Sequence, residues 1–380
     1  MAAKPTLISA STDLEYMRAA LSLAARGLGD TWPNPAVGCI IVKDGVVVGR
    51  GWTQSGGRPH AEADALKRAG SNAKGATAYV TLEPCCHEGR GPPCTQSLIA
   101  AGISRVVVAT TDPDPRMSGE GLALLRKAGV EVVKGVGKVA ADDLNTGFFT
   151  RVLKQRPMFA LKTATSLDGR IALASGESKW ITGPRSRALV QAIRAKFDAI
   201  MVGSETVLHD DPDLTCRVDG YAGRPKVRVV LDRRLRTSSG HKLVQTAKQI
   251  PTWIYTRPTA SEDAAMSARQ LREAGVEVVE IDNQDDLGFL AGVTADLAAR
   301  GLTRVLVEGG GHVVASLVRT QIISEVYWFR GGQILGGDAR AGIGPLGLDR
   351  LADSAQFKRH ETLLLNDQNG GGDTLDILSV

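Results

Sequence analysis

The stretch from His60 to Cys94 reads HAEADALKRAGSNAKGATAYVTLEPCCHEGRGPPC. Its first ten residues, 60–69, carry the pattern of a helix, 76–82 that of a strand, and a second helix starts at Cys94 and runs to 101. Working outward, the apolar runs 37–42 and 46–49 flank Asp44-Gly45, a hairpin signal. Upstream lie a helix over 13–26 and the loop Trp32-Pro33-Asn34-Pro35. Downstream come a strand at 105–109, a turn at Asp112-Pro113-Asp114-Pro115, a helix at 119–128 and a strand at 130–134. A helical segment, 138–153, closes the unit. Alternation of this kind predicts an α/β layer structure.

Gln155-Arg156-Pro157 marks the expected boundary between a first domain, 1–153, and a second, 157–380. The second series is again α/β, with about seven strands (158–163, 199–203, 227–232, 252–255, 276–281, 304–307 and 326–329) and four helices (184–197, 260–273, 287–300 and 312–319). A turn at 369–373 precedes a last short strand, 374–378.

Composition narrows the function. At ~150 residues per domain, 380 residues suggest two or three domains. With 43% apolar and 23% charged residues the chain is globular and not intrinsically disordered. No run approaches the ~18 apolar residues of a membrane span, and the first residues lack the apolar core of a secretory signal. Five cysteines are too few for a disulfide scaffold and point to a reducing, cytoplasmic setting, where clustered cysteines bind metal. A net charge of +5 favours anionic small molecules slightly and is too weak to argue for nucleic acid. Aromatic residues at 4% also argue against a stacking platform.

Two constellations carry chemistry. His60, Cys85 and Cys94 offer one imidazole and two thiolates, three zinc ligands with a fourth position left for water. Zinc lowers the pKa of such a water to about 7. Glu62, two residues from His60, is placed to move protons beside the metal, and H-x-E with P-C…C is the signature of zinc deaminases. The usual second spacing is C-x-x-C, whereas eight residues separate Cys85 from Cys94 here. Cys86 competes for a ligand role; Cys85 is preferred because it directly follows Pro84. A structural zinc would need a fourth protein ligand, for which Cys86, His87 and Cys39 are available. The second constellation is Val305-Leu306-Val307-Glu308-Gly309-Gly310-Gly311-His312, a strand, a triple-glycine turn and a helix start. Such a turn lets backbone N–H groups approach a phosphate, although it is not the G-x-G-x-x-G fingerprint and alone could be a plain tight turn.

Taken together, Pro33-Asn34-Pro35-Ala36-Val37-Gly38, His60-Ala61-Glu62, Glu83-Pro84-Cys85-Cys86-His87 and Gly91-Pro92-Pro93-Cys94 resemble the deaminase half of the bifunctional riboflavin-biosynthesis deaminase/reductase family. The stretches 161–170, 175–182, 206–215 and 308–311 resemble its reductase half, in the same order along the chain. The resemblance implies a cytidine-deaminase-like α/β/α domain holding one Zn2+, followed by a dihydrofolate-reductase-like α/β domain using NADPH. It implies that Glu62 is the acid/base, that Asn34 contacts the pyrimidine, and that His87 and Arg90 hold the ribose phosphate. Thr53 stands where some relatives have His.

In the second half the resemblance implies that Lys162 and Ala164 line the nicotinamide end, with Lys162 also counted among the substrate contacts. Trp180, Thr206 and Asp210 would contact NADPH, and Gly310, Gly311, His312, Val313, Val314, Ala315 and Ser316 would carry its phosphates. Ser178, Arg194, Leu214, Arg217 and Glu308 would contact the substrate. Guanidinium groups at 194 and 217 suit a phosphate. Lys162, Asp210 and Glu308 are the candidate proton donors, and whether Arg233 meets the cofactor's extra phosphate stays open. Cys39 and Cys216 read as packing.

The expected function is zinc-dependent deamination of a small phosphorylated aminopyrimidine, then NADPH-dependent reduction of its ribosyl group to ribityl. The expected setting is a cytoplasmic homo-oligomer without nucleic-acid or membrane partners. Two alternatives are a zinc nucleobase deaminase with a nucleic-acid-binding second domain, and a non-catalytic zinc-and-nucleotide sensor, against which the intact Glu62 argues.

Overall fold

The computed structural model describes residues 10–89, 91–115, 117–258, 261–366 and 372–380. The chain divides into two compact units, residues 1–155 and 156–380. The start of the turn at 369–373, the first residue of the helix expected at 260–273, and Arg90 lie outside the described residues.

The first unit orders its elements as α1 (Ala10–Ala24), β1 (Gly38–Lys43), β2 (Val46–Trp52), α2 (Ala61–Ala69), β3 (Thr77–Leu82), α3 (Cys94–Ala100), β4 (Arg105–Thr110), α4 (Glu120–Lys127), β5 (Glu131–Lys134), α5 (Lys138–Leu144) and α6 (Thr146–Lys154). The strands form one sheet, β2-β1-β3-β4-β5, antiparallel at β2-β1-β3 and parallel from β3 to β5. Lys43 pairs with Val46, and Asp44 and Gly45 both have positive φ (49° and 78°), the two-residue hairpin geometry that suits the twist of paired strands. Side chains alternate across β1. Cys39 and Ile41 join a core with Ala61, Ala65, Leu98 and Leu122, while Ile40 and Val42 join Met17, Ala20 and Ala141 on the opposite face. Helices therefore cover both faces of the sheet, an α/β/α sandwich. The single helix expected over 138–153 is two helices broken at Asn145, whose side chain leaves the helix to bond the backbone of Ala36.

The second unit contains β6 (Met158–Thr165), β7 (Arg170–Ala172), α7 (Pro184–Ala195), β8 (Ala199–Gly203), α8 (Ser204–Asp210), β9 (Val227–Leu231), α9 (Lys242–Gln245), β10 (Thr252–Thr256), α10 (Glu262–Glu273), β11 (Glu277–Glu280), α11 (Asp286–Ala299), β12 (Arg304–Val307), α12 (Gly311–Arg319), β13 (Ile323–Arg330), β14 (Arg340–Ala341), β15 (Lys358–Asn366) and β16 (Gly372–Ser379). Its main sheet runs β11-β10-β9-β8-β12-β6-β13-β16-β15. Pairings are parallel from β11 through β13 and antiparallel at β16 and β15. The two central parallel strands β8 and β12 are covered on both faces: Ala199–Gly203 and Arg304–Val307 are buried at every position.

Five elements of this unit were not expected. Helices α8 and α9 are short, β7 and β14 pair only with each other, and β15 opens on Lys358-Arg359-His360-Glu361, a charged run suited to a sheet edge and lacking an apolar alternation to announce it. No helix among the described residues is long and apolar enough to cross a membrane.

One buried ion pair ties the first unit together. Asp13 on α1 accepts two hydrogen bonds from Arg105 at the start of β4 (2.9 and 2.8 Å) and one from the Tyr79 hydroxyl (2.8 Å). Burial pushes its carboxyl up, but the Arg105 and Tyr79 hydrogen bonds outweigh burial and hold it below its ordinary value. Asp13→Ala should cost this unit about 2 kcal/mol, because it leaves the buried Tyr79 hydroxyl without its acceptor and Arg105 with only the exposed Glu131 as partner. The Asp13 contribution is complete above its unfolded pKa of about 4 and is lost as pH falls through the depressed native value. A urea midpoint measured from pH 6 to pH 2 for wild type and variant checks both, with the gap between them closing in acid.

Candidate active sites

His60 is the residue before α2, in extended conformation, and its imidazole points back toward the loop after β3. Its Nδ1 lies 3.3 Å from Cys94 Sγ and 3.6 Å from Cys85 Sγ. Cys94 opens α3 and donates its backbone N–H to Cys85 Sγ at 3.3 Å, while Thr95 donates N–H and hydroxyl to the Cys85 carbonyl (3.1 and 3.2 Å). The long insertion between the two cysteines thus closes on itself, and the ligand atoms of His60, Cys85 and Cys94 all lie within 4.8 Å of one another. Among the described residues no fourth His, Cys, Asp or Glu joins this group. Cys86 turns away, 4.0 Å from both Met117 Sδ and Glu120 Oε2, His87 Nδ1 rests 3.1 Å from Met117 Sδ, and Cys39 is buried in β1. A borderline-soft cation fits an imidazole and two sulfurs with one tetrahedral position open; the set lacks the closure of a structural site.

The hydrogen bond with Cys94 and the His60 imidazole draw the Cys85 thiol down to about 4, and the same contact with Cys85 raises Cys94. The cluster therefore carries anionic sulfur already, which divalent-cation binding extends to both thiols. Glu62, in the first turn of α2, is 3% exposed. Burial and the nearby Cys85 thiolate push its carboxyl up to about 7.

Asn34 sits in a turn tied at both ends: its N–H donates to Thr31 O (3.0 Å) and its carbonyl accepts from the Thr31 hydroxyl (3.1 Å). Two residues on, Asn145 clasps the backbone of Ala36 with both amide atoms at 3.0 Å. Gly57, with φ of +89°, lies beneath the Asn34 amide, and a Cβ there would fall 1.9 Å from Asn34 Nδ2. The loop that carries Gly57 leads directly into His60, so Asn34 borders the metal-ligand segment. Thr53 is 3% exposed and its hydroxyl accepts from Val37 N–H at 3.0 Å, a bond that holds the loop edge together. Neither Asn145 nor Gly57 was legible as a site residue: one lies 109 residues from its partner, and the other is one glycine among 43.

The second site is a cleft of about 1290 Å³ at the carboxyl ends of parallel strands β6, β8, β9 and β12, where open α/β sheets bind ligands. Lys162 and Ala164 from β6 line it, as do Ser178 and Trp180 from the loop before α7. Arg194 from α7, Thr206 and Asp210 from α8, and Leu214 and Arg217 beyond it complete that wall. Opposite stand Glu308, Gly310, Gly311, His312, Val313, Val314 and Ser316. Ala315 differs from its neighbours: it is 2% exposed and is not part of the lining, because the turn of α12 directs it into the core. At Gly311 a Cβ would meet the Ala341 carbonyl at 2.7 Å, so this turn admits only glycine where the two backbones cross.

Arg194 is committed within the protein. Its Nε and Nη2 donate to the two Glu308 oxygens at 2.5 and 2.6 Å, and Nη1 donates to Thr215 O at 2.7 Å. Burial alone would raise Glu308; Arg194 first, then Lys162, outweigh it and hold the carboxyl below its ordinary value. Burial lowers Lys162. Arg217 is more open, pairing with Asp213 at 3.1 Å. A cationic rim unread in the sequence, apart from Arg233, adds Arg234 and Arg236. Arg233 pairs with Asp286, which also takes Arg257 at 2.9 Å, and Arg236 pairs with Glu205 at 2.6 Å.

Such a pairing of sites defines a class, a hydrolytic deaminase carried on one chain with a reductase. Residues 10–110 match the family described as the cytidine and deoxycytidylate deaminase zinc-binding region, and residues 157–364 match the RibD C-terminal domain. The riboflavin biosynthesis protein RibD of Actinobacillus pleuropneumoniae is 42% identical over 357 residues, covering 94% of this chain and 93% of that one. Acinetobacter baumannii RibD has a solved structure with a TM-score of 0.86 at 36% identity, covering 98% of this chain and 99% of that chain. A Thermotoga maritima structure, described as a diaminohydroxyphosphoribosylaminopyrimidine deaminase/5-amino-6-(5-phosphoribosylamino)uracil reductase, gives 0.84 at 34% identity, covering 97% and 99%. The chain belongs to the RibD family, the bifunctional deaminase/reductases of riboflavin biosynthesis.

The donor geometry separates the three adjacent thiols by role. Cys85→Ser and Cys94→Ser should each lose most bound zinc, whereas Cys86→Ser should retain about one ion per chain. Metal content by plasma mass spectrometry after gel filtration checks this.

Proposed function

We propose that the chain performs two successive steps on one small phosphorylated pyrimidine. The first unit, 1–153, hydrolyses the 2-amino group of 2,5-diamino-6-(5-phosphoribosylamino)pyrimidin-4-one, releasing ammonia. The second, 157–380, reduces the ribosyl group of the deaminated product to ribityl. The observation that carries this reading is the His60, Cys85 and Cys94 cluster with its open position and the buried Glu62 beside it.

Zinc held by these three residues supplies the Lewis acidity that makes water a nucleophile at neutral pH. Glu62 moves the protons: its carboxylate takes one from the attacking water and passes it to the ring nitrogen. It then takes the second from the hydroxyl left on C2 and passes it to the amine, which departs as ammonia as the C2–N bond breaks and the carbonyl forms. Burial raises this carboxyl above its ordinary value, which favours its gaining as well as losing a proton. Asn34, packed over Gly57 and two residues from the Ala36 backbone that Asn145 clasps, orients the pyrimidine. His87 and Arg90 take the ribose phosphate.

In the second unit the cleft residues would hold NADPH, which would supply the hydride chemistry that turns the ribosyl group into ribityl, with Lys162, Asp210 and Glu308 the candidates for the accompanying proton. The chain's contribution is orientation. Gly310–Val314 and Ser316, with Trp180, Thr206 and Asp210, seat the cofactor, and Lys162 and Ala164 face the reacting end. Arg217, with Ser178 and Leu214, holds the substrate, while Arg194 fixes Glu308 and offers it only its remaining N–H groups. A net charge of +5 and five free cysteines support a cytoplasmic enzyme of small anionic substrates, without nucleic-acid or membrane partners. The family resemblance supports a homo-oligomer.

Mass spectrometry of the product tests the assignment. Amine-to-oxygen exchange without NADPH, and two further hydrogens with it, is the expected result; an unchanged substrate in both tubes sinks it. Glu62→Gln should lower deamination by about 10²–10⁴-fold while retaining zinc. Supplied with the deaminated intermediate, the same variant should still oxidise NADPH at the wild-type rate, read at 340 nm (about the absorption maximum of the reduced nicotinamide).

A further inference from the structure

Glu83 lies between strand β3 and the ligand Cys85. It is 4% exposed. Its carboxylate accepts from four backbone N–H groups: Oε2 from Asp112 (3.3 Å) and Gly119 (3.0 Å), Oε1 from Gly121 (2.9 Å) and Leu122 (3.3 Å). One side chain thus gathers both ends of the segment 112–122 and seats it beside the metal-ligand loop. The approach is close: a Cβ on Gly121 would fall 2.4 Å from the Pro84 carbonyl.

The gathered segment carries Met117, which is 7% exposed and packs its sulfur 3.1 Å from His87 Nδ1 and 4.0 Å from Cys86 Sγ. Glu120, in the first turn of α4, reaches the same Cys86 sulfur at 4.0 Å. The path therefore runs from the Glu83 carboxylate through the anchored backbone to Met117, and from Met117 to His87. His87 is itself exposed and belongs to a loop without regular structure, and the Met117 sulfur lies against its ring nitrogen.

We propose that Glu83 is a positioning residue of the deaminase site: by fastening the 112–122 segment it holds the Met117 buttress that orients His87 toward the substrate. The proposal rests on the deaminase reading above and extends it from the metal to the wall that receives the phosphorylated end of the pyrimidine. A carboxylate suits the task because it presents acceptors only. An amide in its place turns an N–H toward backbone donors and leaves them unmatched.

The test compares wild type, Glu83→Gln, His87→Ala and the double variant in ammonia release from the diaminopyrimidine ribose phosphate, with zinc content measured on each. Glu83→Gln is expected to raise KM about tenfold with kcat and zinc unchanged. The double variant is expected to be no worse than His87→Ala alone, since the two changes act on one linkage. An unchanged KM, effects that multiply, or a fall in kcat accompanied by zinc loss would each overturn the proposal. If Glu83→Gln does not fold, Met117→Ala interrupts the same path. A raised KM that is not additive with His87→Ala supports the proposal, and an unchanged KM overturns it. Failure of the wild-type protein to release ammonia from this substrate would instead remove the deaminase reading itself.

Discussion

Both halves of the chain share one constraint: key side chains are presented where a strand gives way to a helix. There the backbone ends its ladder of hydrogen bonds, and the first N–H groups of the next helix are free to meet anions. In the first unit β3 runs out into Glu83-Pro84-Cys85, and α3 begins on Cys94, whose N–H caps the Cys85 sulfur. In the second, β12 runs out into Glu308 and the glycine turn before α12. The rest of each fold serves to hold these junctions still, through helices packed on both faces of the first sheet and buried strands in the second.

The second junction shows how a charged residue can be committed before any ligand arrives. Glu308 and Arg194 meet in a paired fork with both partners largely buried (side chains 7% and 10% exposed). Removing either would leave an uncompensated charge in the cleft wall. Arginine in such a fork is a fixed part of the architecture; Arg217, at 59% side-chain exposure, has the freedom to meet a phosphate.

Much of this was legible in the sequence, for identifiable reasons. The Asp44-Gly45 hairpin, the helix from His60 and the buried strands 199–203 and 304–307 are set by local chemistry: turn residues, spacing and unbroken apolar runs. The zinc cluster was readable because its donors are few in kind and lie within 34 residues. The supports of the site were not. Asn145 acts on Ala36, Asp286 on Arg233 and Glu83 on four amides up to 39 residues away, and none advertises its partner by type or spacing. The break between α5 and α6 was invisible for the same reason: its cause is a tertiary hydrogen bond, not a helix-breaking residue.

The Asn145 clasp has a bearing on how the protein is made. The turn that carries Asn34 leaves the ribosome early, yet the side chain that pins it lies 109 residues further along the chain. Until Asn145 emerges, the turn lacks that anchor. Its anchoring coincides with the last helix of the first unit, just before synthesis of the second begins at Arg156. The tie on the Asn34 turn is thus made only once nearly all of the first unit has been translated.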